Sequence, residues 1–312
     1  MNTITPQNTN DLPVALSVDV KKYIDASTSE NTKRAYKKWL AVFKGYGFTI
    51  PCNAADVVSF LTSIKKANGE NYSAQSLNQA LAAIAFAHEL KGAPNPTNDA
   101  LVKTVFSGFK RTHGTRPTRQ AAPVKKDNLI EHIKKPTSKI EVRNNALILI
   151  GFFGAFRRSE LTNLDFNDAQ FTNEGVVLTL QKSKTNQTGK LEQKFLPSRT
   201  DKLCPCKALK QWLEISKINS GRLFRNIKKN GELGDSISEN SINLIIKKVF
   251  NEVETSGVLK VSGHSLRVGL ITTCALAKVP TAKIQAVTGH KTPQMISHYS
   301  REIEGFDSYP EI

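Results

Sequence analysis

The chain has 312 residues, of which 39% are hydrophobic and 23% charged, the balance of a globular protein with material for two domains. A net charge of +17 and a pI near 9.7 point to a polyanionic partner, above all nucleic acid, with an anionic membrane surface as the alternative. The longest apolar run, Ala146 to Phe156, falls well short of the roughly 20 residues a spanning helix needs, which excludes a membrane span there.

The first nine residues carry neither a basic stretch nor an apolar one, so no export signal is expected. In Thr32–Phe43, the residues Tyr36, Trp39, Leu40 and Phe43 fall on one helical stripe with lysines opposite. Asn53 is placed to cap a second helix carrying Val57, Phe60, Leu61 and Ile64. Ser73 starts a third with Leu77, Leu81, Ile84 and His88 on one side; Pro94 and Pro96 then precede a short fourth helix, Leu101–Phe109. Four amphipathic helices in about 100 residues predict a compact bundle. The stretch that follows holds Lys110, Arg111, Arg116, Arg119, Lys125 and Lys126 with no acidic residue between them. Gly114, Pro117 and Pro123 argue against a continuing helix, so this stretch reads as an extended, basic linker that tracks DNA.

Beyond it, Asp127–Lys134 and Arg143–Phe156 read as helices, the second apolar nearly all round and hence central to a core. Gly175–Gln181 is β-rich, with Lys190–Leu196 as a return strand across a basic polar turn. Helices resume at Pro205–Ile215, at Ser238–Glu254 and beyond Ser265. Residues 1–123 carry a net +7 and the remainder +10, so both halves are basic. Of the four cysteines, only Cys204 and Cys206 are close in sequence, and a lone C-P-C lacks the second pair a zinc site requires. No metal role is expected, and the thiols read as reduced.

Transfer of a phosphodiester strand without a metal needs a nucleophile and fixed donors around the phosphate, where the transition state gathers negative charge. Arginine suits the donor role, because its planar fork pairs bidentately with phosphate and keeps its proton at neutral pH. Three clusters in the second half fit. In Gly154-Ala155-Phe156-Arg157-Arg158-Ser159-Glu160-Leu161, Glu160 lies three residues from Arg157 and can orient it, while Arg158 is expected to point about 100° away. In Gly263-His264-Ser265-Leu266-Arg267, histidine and arginine again share a face. Gly289-His290 is followed after nine residues by Tyr299, about two turns down a helix starting near Thr292-Pro293.

In combination these motifs resemble the tyrosine recombinase (phage integrase) family. Gly263–Glu302 is similar to that family's second signature box almost throughout, and Gly154–Leu164 to its first. One departure is Ala155, where the family usually has glycine two residues before the arginine. Ser29–Trp39 and Tyr72–His88 resemble the family's helical core-binding region, so the resemblance spans roughly residues 20–305. It implies a mainly α (α+β) fold of the DNA breaking-rejoining type. A helical SAM-like core-binding domain (20–110) would follow a tail (1–19) and be joined by a linker (111–123) to a mostly helical catalytic domain with a small β-sheet (124–312). No separate arm-binding domain is expected.

Carried over by the resemblance, Tyr299 is the nucleophile that leaves a 3′-phosphotyrosine and a free 5′-hydroxyl. Arg157 and Arg267 grip the non-bridging oxygens, His264 assists proton transfer at the phenol, His290 hydrogen-bonds the phosphate, and Glu160 orients the others. Lys184 in the hairpin protonates the leaving oxygen, with Lys182 on the same strand face as the alternative. No cofactor is implied. The implied partners are double-stranded DNA bearing a specific recombination site, a homo-tetramer on two such sites and accessory DNA-bending proteins, with no membrane. The implied location is cytoplasmic, on the nucleoid of a prokaryotic or phage-infected cell. Two rivals stand beside this reading: a type IB topoisomerase and a DNA-binding protein of the same fold without catalysis.

Overall fold

The computed structural model describes residues 27–115, 120–180, 192–253, 259–290, 292–294 and 296. The chain divides into two compact units, Met1–Thr118 and Arg119–Ile312, and the fold is mainly helical with a small sheet. Among the described residues no helix is long and apolar enough to cross a membrane.

The first unit holds helices α1 (Glu30–Gly45), α2 (Ala54–Ser63), α3 (Ala74–Leu90) and α4 (Ala100–His113). Local chemistry sets their starts. Ser29, Asn53, Ser73 and Asp99 each turn a side-chain oxygen onto an otherwise unpaired amide of the first turn, and Asn53 with Asp56 completes a reciprocal capping box. The apolar stripes meet in one core of Trp39, Phe43, Val57, Phe60, Leu77, Ile84 and Val102. His88 closes that core without exposing a polar atom, its Nδ1 on the Ile84 carbonyl and its Nε2 accepting from the Cys52 amide.

Helix α4 runs four residues past its predicted end, so Lys110 and Arg111 sit in its last turn and not in an extended linker. The basic end of a helix is stabilised by its dipole, and glycine is what ends it: Gly114 takes φ +74°. Arg116 and Arg119 lie outside the described residues. The chain enters the second unit as strand β1 (Gln120–Ala121), followed by α5 (Lys126–His132), whose first amides place Lys125 and Lys126 at its start.

The second unit continues with α6 (Lys139–Phe153), α7 (Arg158–Asn163), β2 (Ala169–Phe171), β3 (Gly175–Leu180), β4 (Glu192–Pro197), α8 (Pro205–Ser216), α9 (Glu239–Val249), β5 (Leu259–Lys260), α10 (Ser265–Leu276) and α11 (Thr281–Thr288). Strand β3 pairs antiparallel with both β2 and β4; β2 was not apparent in the sequence because three residues carry no period. The hairpin tip, residues 181–191, lies outside the described residues, as does everything from residue 297 onward. Helix α6 is central, as its apolar sequence implied, and packs against α8 and α10. It stops at Phe153, three residues before the predicted end, because the chain turns at Gly154-Ala155. Cys204 and Cys206 are free thiols with structural work: Cys204 Sγ accepts from the Arg199 and Lys207 amides at the start of α8, and Cys206 donates to the Leu196 carbonyl.

The segment entering this unit is laid against the helix that carries Arg267. Strand β1 pairs in parallel with β5, the Ala122 amide donates to the Lys260 carbonyl, and the Val124 amide donates to the Ser265 carbonyl. Gly269 in α10 makes this approach possible, since a Cβ there would stand 1.8 Å from the Val124 carbonyl oxygen. Backbone meeting backbone cannot relax by a change of rotamer. Gly269→Ala is therefore expected to lose about 3 kcal/mol of stability or fail to fold, checked by denaturant unfolding of the full chain.

Candidate active site

The first arginine is fixed by its own helix start. Arg157 is the N-cap of α7, in extended conformation, and Glu160 answers it twice: Oε2 accepts the Arg157 amide at 2.8 Å and Oε1 accepts its guanidinium at 2.5 Å. Glu160 is only 2% exposed, so this carboxylate is held by the arginine from both backbone and side chain. Because Arg157 precedes the helix, the 100° step expected between it and Arg158 does not apply. The aliphatic part of Arg158 lies over Gly263 instead, where a Cβ would clash with its Cδ at 2.1 Å.

The second arginine comes from α10. Arg267 is 1% exposed, and its Nη1 donates to the Ala155 carbonyl at 2.6 Å while Nη2 meets His290 Nε2 at 3.3 Å. The Ala155 carbonyl is available because that residue adopts φ +48°, reversing the chain between α6 and α7. Such a conformation costs a non-glycine residue about 1–2 kcal/mol, which gives the physical reason for a glycine at this place in the motif.

The histidines complete the cluster. His264 is the N-cap of α10 and is exposed to solvent, with its turn held by the Gly263 amide on Asn243 and the Ser262 amide on Ser265. His290 is buried and follows Gly289, which ends α11 at φ +66°. The Thr288 hydroxyl donates its one proton to the Ile284 carbonyl and so must accept from His290 Nδ1, 2.7 Å away. In a neutral ring that leaves Nε2 as an acceptor, facing the Arg267 donor.

Both imidazoles are driven to the neutral form. Crowding of protein atoms around a ring that still reaches solvent, then the charges of Arg267, Arg157 and Arg158, push His264 down to about 4. Loss of hydration, then Arg267, Arg157, His264 and Lys194, push His290 to about 4. That the same two arginines act on both rings locates Arg157, Arg267, His264 and His290 in one cluster.

Two basic side chains join it that had no motif to mark them. Arg158 lies beside His264, and Lys194 of β4 is 4% exposed, with Glu160 and Arg267 both acting on its ammonium. The alternation of burial along β4 (Glu192, Lys194 and Leu196 inward) is the signal that could have flagged Lys194. The site thus gathers Arg157, Arg158, Arg267 and Lys194 against the carboxylates of Glu160 and Glu192. The excess of fixed donors suits an anion with several oxygens. Lys184, Lys182 and Tyr299 lie outside the described residues, and among the described residues no group of three or more histidine, cysteine or acidic side chains is arranged to hold a metal.

Comparison with known proteins places the chain among relatives. The model of the phage integrase family matches residues 124–304. An integrase/recombinase xerD homolog of Selenomonas ruminantium is 30% identical over 296 residues, which cover 91% of this chain and 85% of that protein. Among solved structures, a lambda integrase dimer bound to a COC′ core site superposes with a TM-score of 0.61 at 14% identity, over 94% of this chain and 78% of that one. A Tn1549 transposon integrase in complex with transposon right end DNA gives 0.59 at 17% identity, over 92% and 97%. At such identities these two structures establish the fold.

The depressed histidine pKa values carry a sign. The unfolded chain takes up protons near 6.5 and the folded chain only near 4, so stability is full above 6.5 and is lost as pH falls towards 4. The urea midpoint is expected to decline across that window, and less steeply in His290→Gln. An anion seated between the arginines offsets their charge, so histidine NMR titrations with inorganic phosphate should move both pKa values upward; unmoved values would mean that phosphate does not bind there.

Proposed function

The chain belongs to the phage integrase family and is a site-specific recombinase of the tyrosine type, and from that premise we propose how its own residues carry the reaction. Tyr299 Oη attacks the scissile phosphorus of double-stranded DNA. The bond from Oη to phosphorus forms as the bond to the 5′-oxygen breaks, leaving a 3′-phosphotyrosine. The phenol, whose free pKa is about 10, gives its proton to His264, which is neutral and exposed. The departing 5′-oxygen takes a proton from Lys184, and reversal of these steps with another 5′-hydroxyl rejoins the strand.

Arg157 and Arg267 bind the non-bridging oxygens and Glu160 aligns Arg157. His290 turns from acceptor to donor as the phosphate raises its pKa, and then hydrogen-bonds an oxygen of the transition state. The observation that carries this reading is the pairing of a buried, carbonyl-fixed Arg267 with a carboxylate-fixed Arg157 around two neutral histidines. Preorganised donors of this kind stabilise developing charge without reorganising at the moment of reaction. The phosphotyrosine keeps the phosphodiester bond energy, so no nucleotide is consumed.

The lambda integrase and Tn1549 integrase structures are complexes with DNA, which supports DNA as the partner here. The helical unit, with Lys110 and Arg111 in the last turn of α4, is read as the core-binding domain, and the second unit as the catalytic one. Residues 114–123, including Arg116 and Arg119, with Lys125 and Lys126 just beyond, are read as a basic, DNA-tracking join. Assembly as four protomers on two sites, with accessory bending proteins, and a cytoplasmic location on the nucleoid belong to the same proposal.

Covalent trapping on nicked duplexes carrying the cognate site tests it. Wild type should yield a protein–DNA adduct that survives denaturation and EDTA and maps to Tyr299. Tyr299→Phe should yield none while binding the duplex as tightly. Arg267→Lys should slow adduct formation about a hundred- to a thousandfold. Binding to a proven site without any adduct would sink the strand-transfer reading and leave a DNA-binding protein.

A further inference from the structure

Strand β4 sends one charged side chain to a place where a charge is expensive. Removing an ammonium from water costs several kcal/mol unless partners replace the lost hydration, and Lys194 is almost wholly out of solvent. Its Nζ donates to the Val287 carbonyl at 2.7 Å and pairs with Glu192 Oε1 at 3.2 Å. Glu192, with its side chain 27% exposed, is the wetter member of the pair.

The position of these contacts gives them meaning. Val287 lies in the last turn of α11, where carbonyls lack helical partners and a cation is favoured by the helix dipole. Two residues later comes Gly289, and then His290. A Cβ on Gly289 would stand 2.9 Å from Glu192 Oε1 and 3.9 Å from Lys194 Nζ, so the ion pair lies directly beneath this turn. On its other side, among the described residues, His290 is held by Thr288, itself part of the same helix end, and by Arg267. The link from Lys194 to Val287 is thus a tie between the sheet and the segment that presents His290.

We propose that Lys194 is a positioning residue of the recombination reaction, fastening the end of α11 to β4 so that His290 is presented to Arg267 and the scissile phosphate. The catalytic part of this inference rests on the phosphate-binding role given to His290 above; the tie itself does not. In this role Lys194 differs from the hairpin lysine, since two of its three ammonium protons are given to a carbonyl and a carboxylate that hold the turn. Loss of hydration, then the charges of Arg267 and Arg157, the titratable ring of His264 and the charge of Lys194 bear on His290, so loss of Lys194 takes away one of the influences that keep the imidazole unprotonated.

The test compares Lys194→Met and Lys194→Arg with wild type in the full chain. The pKa of His290 is read by NMR of histidine-labelled protein without DNA, and single-turnover cleavage and duplex affinity are read separately. Lys194→Met should raise the His290 pKa measurably and slow cleavage at least tenfold. Its affinity for duplex should stay within threefold of wild type, and Lys194→Arg should recover part of both changes. A folded Lys194→Met protein with an unmoved His290 pKa and wild-type cleavage would overturn the proposal. If Lys194→Met does not fold, Glu192→Gln carries the test. Loosening of the turn should then slow cleavage three- to tenfold at unchanged affinity, and an unchanged rate would overturn the proposal. His290→Ala separates the two readings. If it cleaves normally, the role of His290 fails, while the pKa measurement in Lys194→Met still decides whether the tie exists.

Discussion

The burial of one guanidinium governs the rest of the site. Arg267 is a permanent cation inside the protein, and it stays there because acceptors are brought to it. One of them, the Ala155 carbonyl, depends on a left-handed residue between α6 and α7, and the other, His290 Nε2, on a left-handed glycine at the end of α11. A left-handed alanine and a left-handed glycine, far apart in sequence, are thus joined through a single buried charge. The arginine that follows the first turn, Arg157, is delivered to the same cluster by the reversal that exposes the carbonyl.

Charge balance then explains the state of the histidines. Glu160 is engaged by Arg157 through both oxygens, so it orients that arginine more than it neutralises the cluster. Loss of hydration, then the remaining positive field, holds His264 and His290 unprotonated at neutral pH. An anion seated between these arginines would offset their charge and raise the proton affinity of both histidines, so under the proposed mechanism binding and acid–base readiness are one electrostatic event.

The scaffold serves this arrangement through three close approaches. Gly269 lets the entering segment lie against α10, Gly263 lets Arg158 cross beside His264, and Gly289 lets the Glu192–Lys194 pair sit under the His290 turn. Each brings a charged residue or a residue of the candidate site within reach of an element distant in sequence. The small sheet is anchored in the core by Val176, Leu178, Leu180 and Leu196, and its strand β4 supplies the buried lysine at the foot of α11.

Periodicity and capping chemistry act within a few residues, and so the four helices of the first unit, the starts at Asn53 and Ser73, the apolar α6 and the pairing of the two main strands were all legible in the sequence. The local motifs around Arg157, Glu160, His264, Arg267 and His290 were legible too, because each is set by a turn or helix start that its own residues specify. Where prediction slipped, the decision was made elsewhere in the chain: α6 ends early at a turn stabilised by Arg267, and β1 and β5 exist only as each other's partner. Lys194 looked like one more lysine in a basic chain. What the sequence by itself determined is which residues could do the chemistry; which of the many cations are buried, and hence which charges act on which proton, was decided only by tertiary structure, because desolvation and Coulomb energy depend on distance in space and not on spacing along the chain.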